Sequence, residues 1–123
     1  MARPAPTARS SALRILNSVL GEGRLMSEVL GTGLLDPLSA PDRARAQRLA
    51  NDALRGMERA DRLLNRHLRK QPPLSVRNVL RLATVEICMG GDAHGVVNEA
   101  VALVGQDKRT FAMKGLVNAI LRK

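Results

Sequence analysis

Ala93-His94-Gly95-Val96-Val97-Asn98-Glu99-Ala100-Val101, followed after a short turn by Gly115-Leu116-Val117-Asn118-Ala119-Ile120-Leu121-Arg122, is the stretch that decides the fold. Each half reads as an apolar helix. Val97, Val101 and Val104 lie on one side of the first; Leu116, Val117, Ile120 and Leu121 make the stripe of the second. Asn98 and Asn118 sit among these apolar neighbours, and Glu99 adds a carboxylate. An unpaired buried polar group costs about 1–3 kcal/mol. Asn98, Glu99 and Asn118 are therefore expected to be structural, hydrogen-bonded to helix ends or to neighbouring helices and fixing their register.

Working back from that stretch, Asp92 is a helix cap and Gly90-Gly91 a stop. The preceding segment, Val76 to Met89, is apolar nearly all round, which predicts a central helix enclosed by the others. Cys88 reads as a small core residue within it. Arg77 and Arg81, one turn apart, are either salt-bridged or reach the same surface. Ser75 is the expected cap of this fifth helix, and Gln71-Pro72-Pro73 stops the fourth.

The fourth helix is expected from about Ala60 to Lys70, with Ala60, Leu63, Leu64, His67 and Leu68 inward and Arg62, Arg66 and Arg69 outward. The third begins at Ser39, carries Pro41 in its first turn where a missing N–H costs nothing, and breaks near Glu58. Ala46, Leu49, Ala50, Ala53, Leu54 and Met57 are its inner stripe; Arg45, Arg48, Asp52 and Arg55 line the other side. A short helix with Leu25, Met26, Val29 and Leu30 inward precedes the loop that holds Gly33 and Pro37. The first helix runs from its cap Thr7 to Leu20, with Ala8, Ala12, Ile15, Leu16, Val19 and Leu20 inward. Residues 1–6, with two prolines and Arg3, read as a flexible basic arm; residues 7–123 read as one helical domain.

The composition agrees. The chain has 123 residues, no Trp, no Tyr and one Phe, so its core is built from Leu, Val, Ala, Ile and Met. β-Branched and aromatic runs that would make strands are missing, and the fold class is all-α, about seven helices in a compact bundle. No apolar run is long enough to cross a bilayer, and Met1-Ala2-Arg3-Pro4-Ala5-Pro6 has no signal core, so a cytoplasmic protein is expected.

The pattern Ala-His-x-x-Val-Asn-Glu-Ala-Val, then Leu-Val-Asn-Ala-Ile-Leu-Arg, resembles the end of a NusB-like helical domain. It is most similar to the N-terminal domain of RsmB (Sun/Fmu)-type ribosomal RNA cytosine-C5 methyltransferases. Stand-alone NusB antitermination factors share Asn-Glu-Ala but usually lack the Asn-Ala-Ile-Leu-Arg ending. Ala8, Ala12, Leu13 and Leu16 match the start of that domain, as do Asp42-Arg43, Leu54-Arg55 and Asp61 further on. The resemblance implies that the chain is the RNA-binding module of a longer S-adenosylmethionine-dependent enzyme acting on 16S ribosomal RNA. The rival reading is a stand-alone antitermination or protein-interaction module.

Catalytic residues are not expected. There is no Gly-rich strand-to-helix turn for a nucleotide or S-adenosylmethionine. The Pro-Cys and Thr-Cys motifs that such methyltransferases use are missing. A cofactor and a catalytic step belong, by this resemblance, only to a C-terminal methyltransferase domain. His67 and His94 lack metal-ligand spacing. His94 is expected to pack or cap at the start of the sixth helix.

Binding is a different matter. Twenty Lys and Arg against eleven acidic residues give a formal charge of +9, which suits a polyanion. Arginine forks bridge phosphate oxygens bidentately. The expected RNA-binding residues are Arg3, Arg9 and Arg14, then Arg45, Arg48 and Arg55, then Arg62, Arg66 and Arg69. With Phe111 the one aromatic and read as core, recognition is expected to follow backbone shape and phosphates, not splayed bases.

Overall fold

In a computed structural model, which describes residues 5–122, the chain is mainly helical, and no strand occurs among the described residues. Among the described residues there are seven α-helices: α1 (Ala8–Leu16), α2 (Met26–Gly31), α3 (Ala40–Arg55), α4 (Met57–Asn65), α5 (Leu74–Cys88), α6 (Ala93–Gln106) and α7 (Lys114–Leu121). A π-helical turn (Asn17–Gly21) extends α1, and a 3₁₀ turn (Phe111–Met113) leads into α7. None of these helices is long and apolar enough to cross a membrane. The chain divides into two compact units at Asn51/Asp52, within α3.

The first unit opens on Thr7. Its hydroxyl accepts from the Ser10 amide at 3.0 Å while Ser10 Oγ accepts from the Thr7 amide at 2.8 Å, a reciprocal cap that satisfies two of the amides a helix start leaves orphaned. Ala8, Ala12, Ile15 and Leu16 are buried as the spacing predicts. Val19 and Leu20, expected to continue the stripe, are only half-buried, because the π-helical turn widens the backbone there and rotates them off the face. In α2 only Val29 is buried. Leu25, expected inward, precedes the helix and is exposed; Glu28 reaches back to accept from its amide at 3.3 Å. Ser39 caps α3, its Oγ accepting from the Asp42 amide at 3.3 Å.

The second unit is built around α5, which packs against α4, α6 and α7. Val76, Val79, Leu80, Leu82, Ala83 and Val85 are buried along it, as expected of a central helix. Its last turn is not enclosed: Cys88 and Met89 are exposed, so Cys88 is not the core residue its neighbours suggested. The helix also starts at Leu74, two residues ahead of the start that a cap at Ser75 would give. The α3–α4 break falls at Gly56, not at Glu58. A Cβ on Gly56 would stand 3.1 Å from Val85 Cγ2, so a side chain here would press on the core face of α5.

Asp92 caps α6, accepting from the Gly95 amide at 3.4 Å. The buried residues of α6 are Val96, Val97, Ala100 and Val104. That stripe leaves Asn98 and Glu99 on the opposite side, exposed, so neither is the buried clamp expected. Asn118 is half-buried and local in its action: its Oδ1 accepts from Arg122 Nε at 2.8 Å, tying down the end of α7. The pattern Asn-Glu-Ala is polar among apolar residues in sequence, but not in space.

Leu80 is fully buried at the centre of α5. Leu80→Asp should abolish cooperative unfolding of the second unit, since an unpaired buried charge costs several kcal/mol. Circular dichroism during heating checks this; a melting curve like the parent's would show that α5 is not the centre.

Candidate nucleic-acid interface

The nine arginines expected to bind RNA fall into different environments. Arg3 lies outside the described residues. Arg9 is 5% exposed, so its guanidinium is not presented to solvent and it does not belong to a surface row. Its place on α1, between buried Ala8 and Ser11, turns it inward. Arg14 and Arg48 are exposed, and Arg45 is half-buried and engaged. In the second unit Arg55, Arg62, Arg66 and Arg69 are all exposed.

Arg62, Arg66 and Arg69 do not share a helix face. α4 ends at Asn65, Arg66 is its C-cap, and Arg69 lies beyond it in irregular backbone. The cause is visible on α5. Arg77, buried there, donates from Nη1 to Asp61 Oδ1 at 3.2 Å and from Nη2 to Asn65 Oδ1 at 3.0 Å and to Gln71 Oε1. The last residue of α4 and the far end of the following loop are therefore held by one guanidinium, and the chain must leave the helix to reach both. His67 is carried out of the inner stripe by the same turn and is exposed; His94 is exposed as well.

Arg81, one turn along, grips Asp61 with a second fork, Nε to Oδ1 and Nη2 to Oδ2, both at 2.8 Å, and donates from Nη1 to Asn78 Oδ1 at 2.9 Å. Two guanidiniums thus surround one carboxylate, and of the two sequence readings of Arg77 and Arg81 the salt-bridged one holds. The hydrogen bonds from Arg81, with the positive charges of Arg81 and Arg77, hold the Asp61 carboxyl below its ordinary value against a partial burial that pushes the other way.

Two surface features escaped the sequence reading. Arg59 is exposed on α4 and, with Arg55, flanks a cleft of about 410 Å³ whose apolar wall includes Leu63, Val85, Cys88 and Met89. The spacing of Arg55 and Arg59 spans a helix break, so no single helical wheel unites them. Phe111, read as core, is 56% exposed, and the Lys114 ammonium stands 4.7 Å from its ring centroid. A lone aromatic gives no periodic signal that would have placed it outside.

A small all-helical chain with buried guanidiniums pinning its helices, and others facing water, has the makings of a binding module. Residues 6–123 match the model of the NusB family, nearly the whole chain, and the chain belongs to that family. A NusB domain is non-catalytic and points to an RNA-binding or antitermination-type role. No curated protein and no solved structure compared with the chain matched it.

Asp61→Asn keeps the shape and removes the charge between Arg77 and Arg81. It should lower stability at neutral pH by about 1–3 kcal/mol, between an exposed pair and a fully buried one. Because folding lowers the Asp61 pKa, its contribution is complete above the unfolded value near 3.9 and is lost as pH falls through the lower folded value. Thermal unfolding of parent and variant should therefore differ by a constant amount well above the unfolded value and draw together only as pH falls through the lower folded value. A gap that persists in acid would assign the loss to packing instead of charge.

Proposed function

We propose that this chain is a non-catalytic RNA-binding domain, residues 7–123 acting as one domain, and that it serves as the N-terminal module of a cytoplasmic 16S ribosomal RNA cytosine-C5 methyltransferase of the RsmB type. The observation that carries RNA binding is the set of arginines facing water without a carboxylate partner among the described residues: Arg14, Arg48, Arg55, Arg62, Arg66 and Arg69. The narrower assignment rests on the ending Asn118-Ala119-Ile120-Leu121-Arg122, joined to the Asn98-Glu99-Ala100 pattern. In this reading S-adenosylmethionine and the two catalytic cysteines belong to a C-terminal methyltransferase domain, and the helices described here position the RNA. A reading frame that continues past Lys123 into Pro-Cys and Thr-Cys motifs supports the enzyme module; one that does not favours a stand-alone antitermination factor.

Phosphate contacts fix register without reading bases. If about 4–6 phosphates are neutralised, the log–log dependence of affinity on salt has a slope of about −3 to −5. Arg62→Glu with Arg66→Glu should weaken binding of all RNA sequences alike, by tenfold or more at low salt, and make the slope shallower. Both side chains are exposed, so helicity should not change. Fluorescence anisotropy of a labelled ribosomal RNA hairpin at two salt concentrations measures both quantities. Equal affinity of parent and double variant would remove this part of the surface from the interface.

A further inference from the structure

Phe111 is the only aromatic side chain of the chain, and a ring of its size is ordinarily buried. Here more than half of it is in water. Loose backbone does not explain the exposure. The Phe111 amide donates to the Asp107 carbonyl at 2.8 Å and the Met113 amide to the Thr110 carbonyl at 2.8 Å. Thr110 is buried and its hydroxyl donates to the Val104 carbonyl at 2.8 Å, which anchors the 3₁₀ turn to the end of α6. The turn is held, and it holds the ring outward.

The ring is also furnished with charge. Lys114 Nζ lies 4.7 Å from its centroid, within cation–π range. The Lys114 stem reaches this position across Gly105 of α6, where an added Cβ would come within 2.7 Å of Lys114 Cδ. Any other residue at 105 would have to displace the lysine. Lys108 and Arg109, both exposed, precede the ring in the chain, and Asp107 before them is half-buried, accepts from the Arg109 amide at 2.9 Å and stands 3.5 Å from Arg109 Nε. Over residues 107–114 three cations and one carboxylate thus accompany the flat apolar ring.

We propose that Phe111 is a stacking platform for one unpaired base of single-stranded RNA, with Lys108, Arg109 and Lys114 on the phosphates beside it. This rests on the RNA-binding reading and adds to it a contact that duplex RNA cannot make. A base offers a flat π-face to the ring and carries a phosphate on either side, which matches an isolated aromatic among cations. A protein partner of ordinary kind would need roughly 800 Å² of complementary surface per side, for which one ring among charges is a poor centre.

The absence of Trp and Tyr makes the test direct, because Phe111→Trp introduces the sole indole of the chain. A ten-nucleotide oligoadenylate should quench that indole saturably, with the affinity found by anisotropy of the same oligonucleotide carrying a fluorophore. Phe111→Ala should weaken oligoadenylate binding by about 5–150-fold, the usual effect of losing one base stack. Its affinity for a twelve-base-pair RNA duplex and its salt slope should not change. Since the ring is exposed, both variants should fold, which circular dichroism checks. Parent-like binding of oligoadenylate by Phe111→Ala, or binding without quenching by Phe111→Trp, overturns the stacking platform while leaving RNA binding intact. Failure of the parent itself to bind either RNA at low salt overturns the RNA-binding reading, and the platform with it.

Discussion

The second unit depends on one carboxylate shared by two arginines. A guanidinium has five N–H donors in a fixed fork and cannot lose its charge, so burying one demands acceptors placed around it. Arg77, with 9% of its side chain exposed, finds Asp61, Asn65 and Gln71; Arg81 finds Asp61 and Asn78. These acceptors come from α4, from the loop after it and from α5 itself. The network thereby sets where α4 ends, how the loop before Pro72-Pro73 runs, and how α4 is seated on α5. α6 and α7 then pack on α5, and Val96 and Ala100 of α6 and Val117 and Ile120 of α7 are buried. An apolar pair of the same volume would pack α4 on α5 as well, yet it would place no demand on the loop.

What the sequence made legible is what periodicity governs. The number of helices, the caps at Thr7, Ser39 and Asp92, the buried Ala8, Ala12, Ile15 and Leu16 of α1, Ala46, Ala50 and Ala53 of α3, Val97 and Val104 of α6, and the central position of α5 follow from apolar spacing and from turn residues near the helix ends, whereas Leu49, Leu54 and Val101, read into the same stripes, are only half-buried. Periodicity says little about a single polar residue. Asn98 and Glu99 look enclosed because their neighbours in the chain are valine and alanine, but a rotation of about 100° per residue puts them on the wet side. Cys88 and Phe111 are the same error in reverse: apolar residues at or beyond the last turn of a helix, where the stripe no longer has anything to pack against.

The arginines are less legible still, because charge does not announce whether it is for the interior or for a partner. Arg9, Arg77 and Arg81 are taken up inside, and Arg62, Arg66 and Arg69 lose their common face once Arg77 ends α4 early. A row drawn on a helical wheel holds only as far as the helix continues. The acceptors that end this one, Asn65 and Gln71, are ordinary surface residues in sequence, and only the fold brings them to a buried guanidinium.

These assignments change what the formal charge of +9 can do. At about 0.1 M salt the field of an exposed charge fades over roughly 10 Å, so a polyanion meets local clusters and not the total. Arginines on α3 and around the end of α4 act over that range, and their attraction weakens as salt rises. A base stacked on Phe111 would be held by contact and dispersion, which salt hardly screens. On the proposed reading the two kinds of contact would divide the work of an RNA-binding domain: phosphate contacts would gather the strand from a distance, and the ring would retain only a nucleotide that is free to unstack. A surface with guanidiniums alone would bind duplex and single strand by charge density. Adding one exposed ring in a held turn gives it a reason to prefer the single strand.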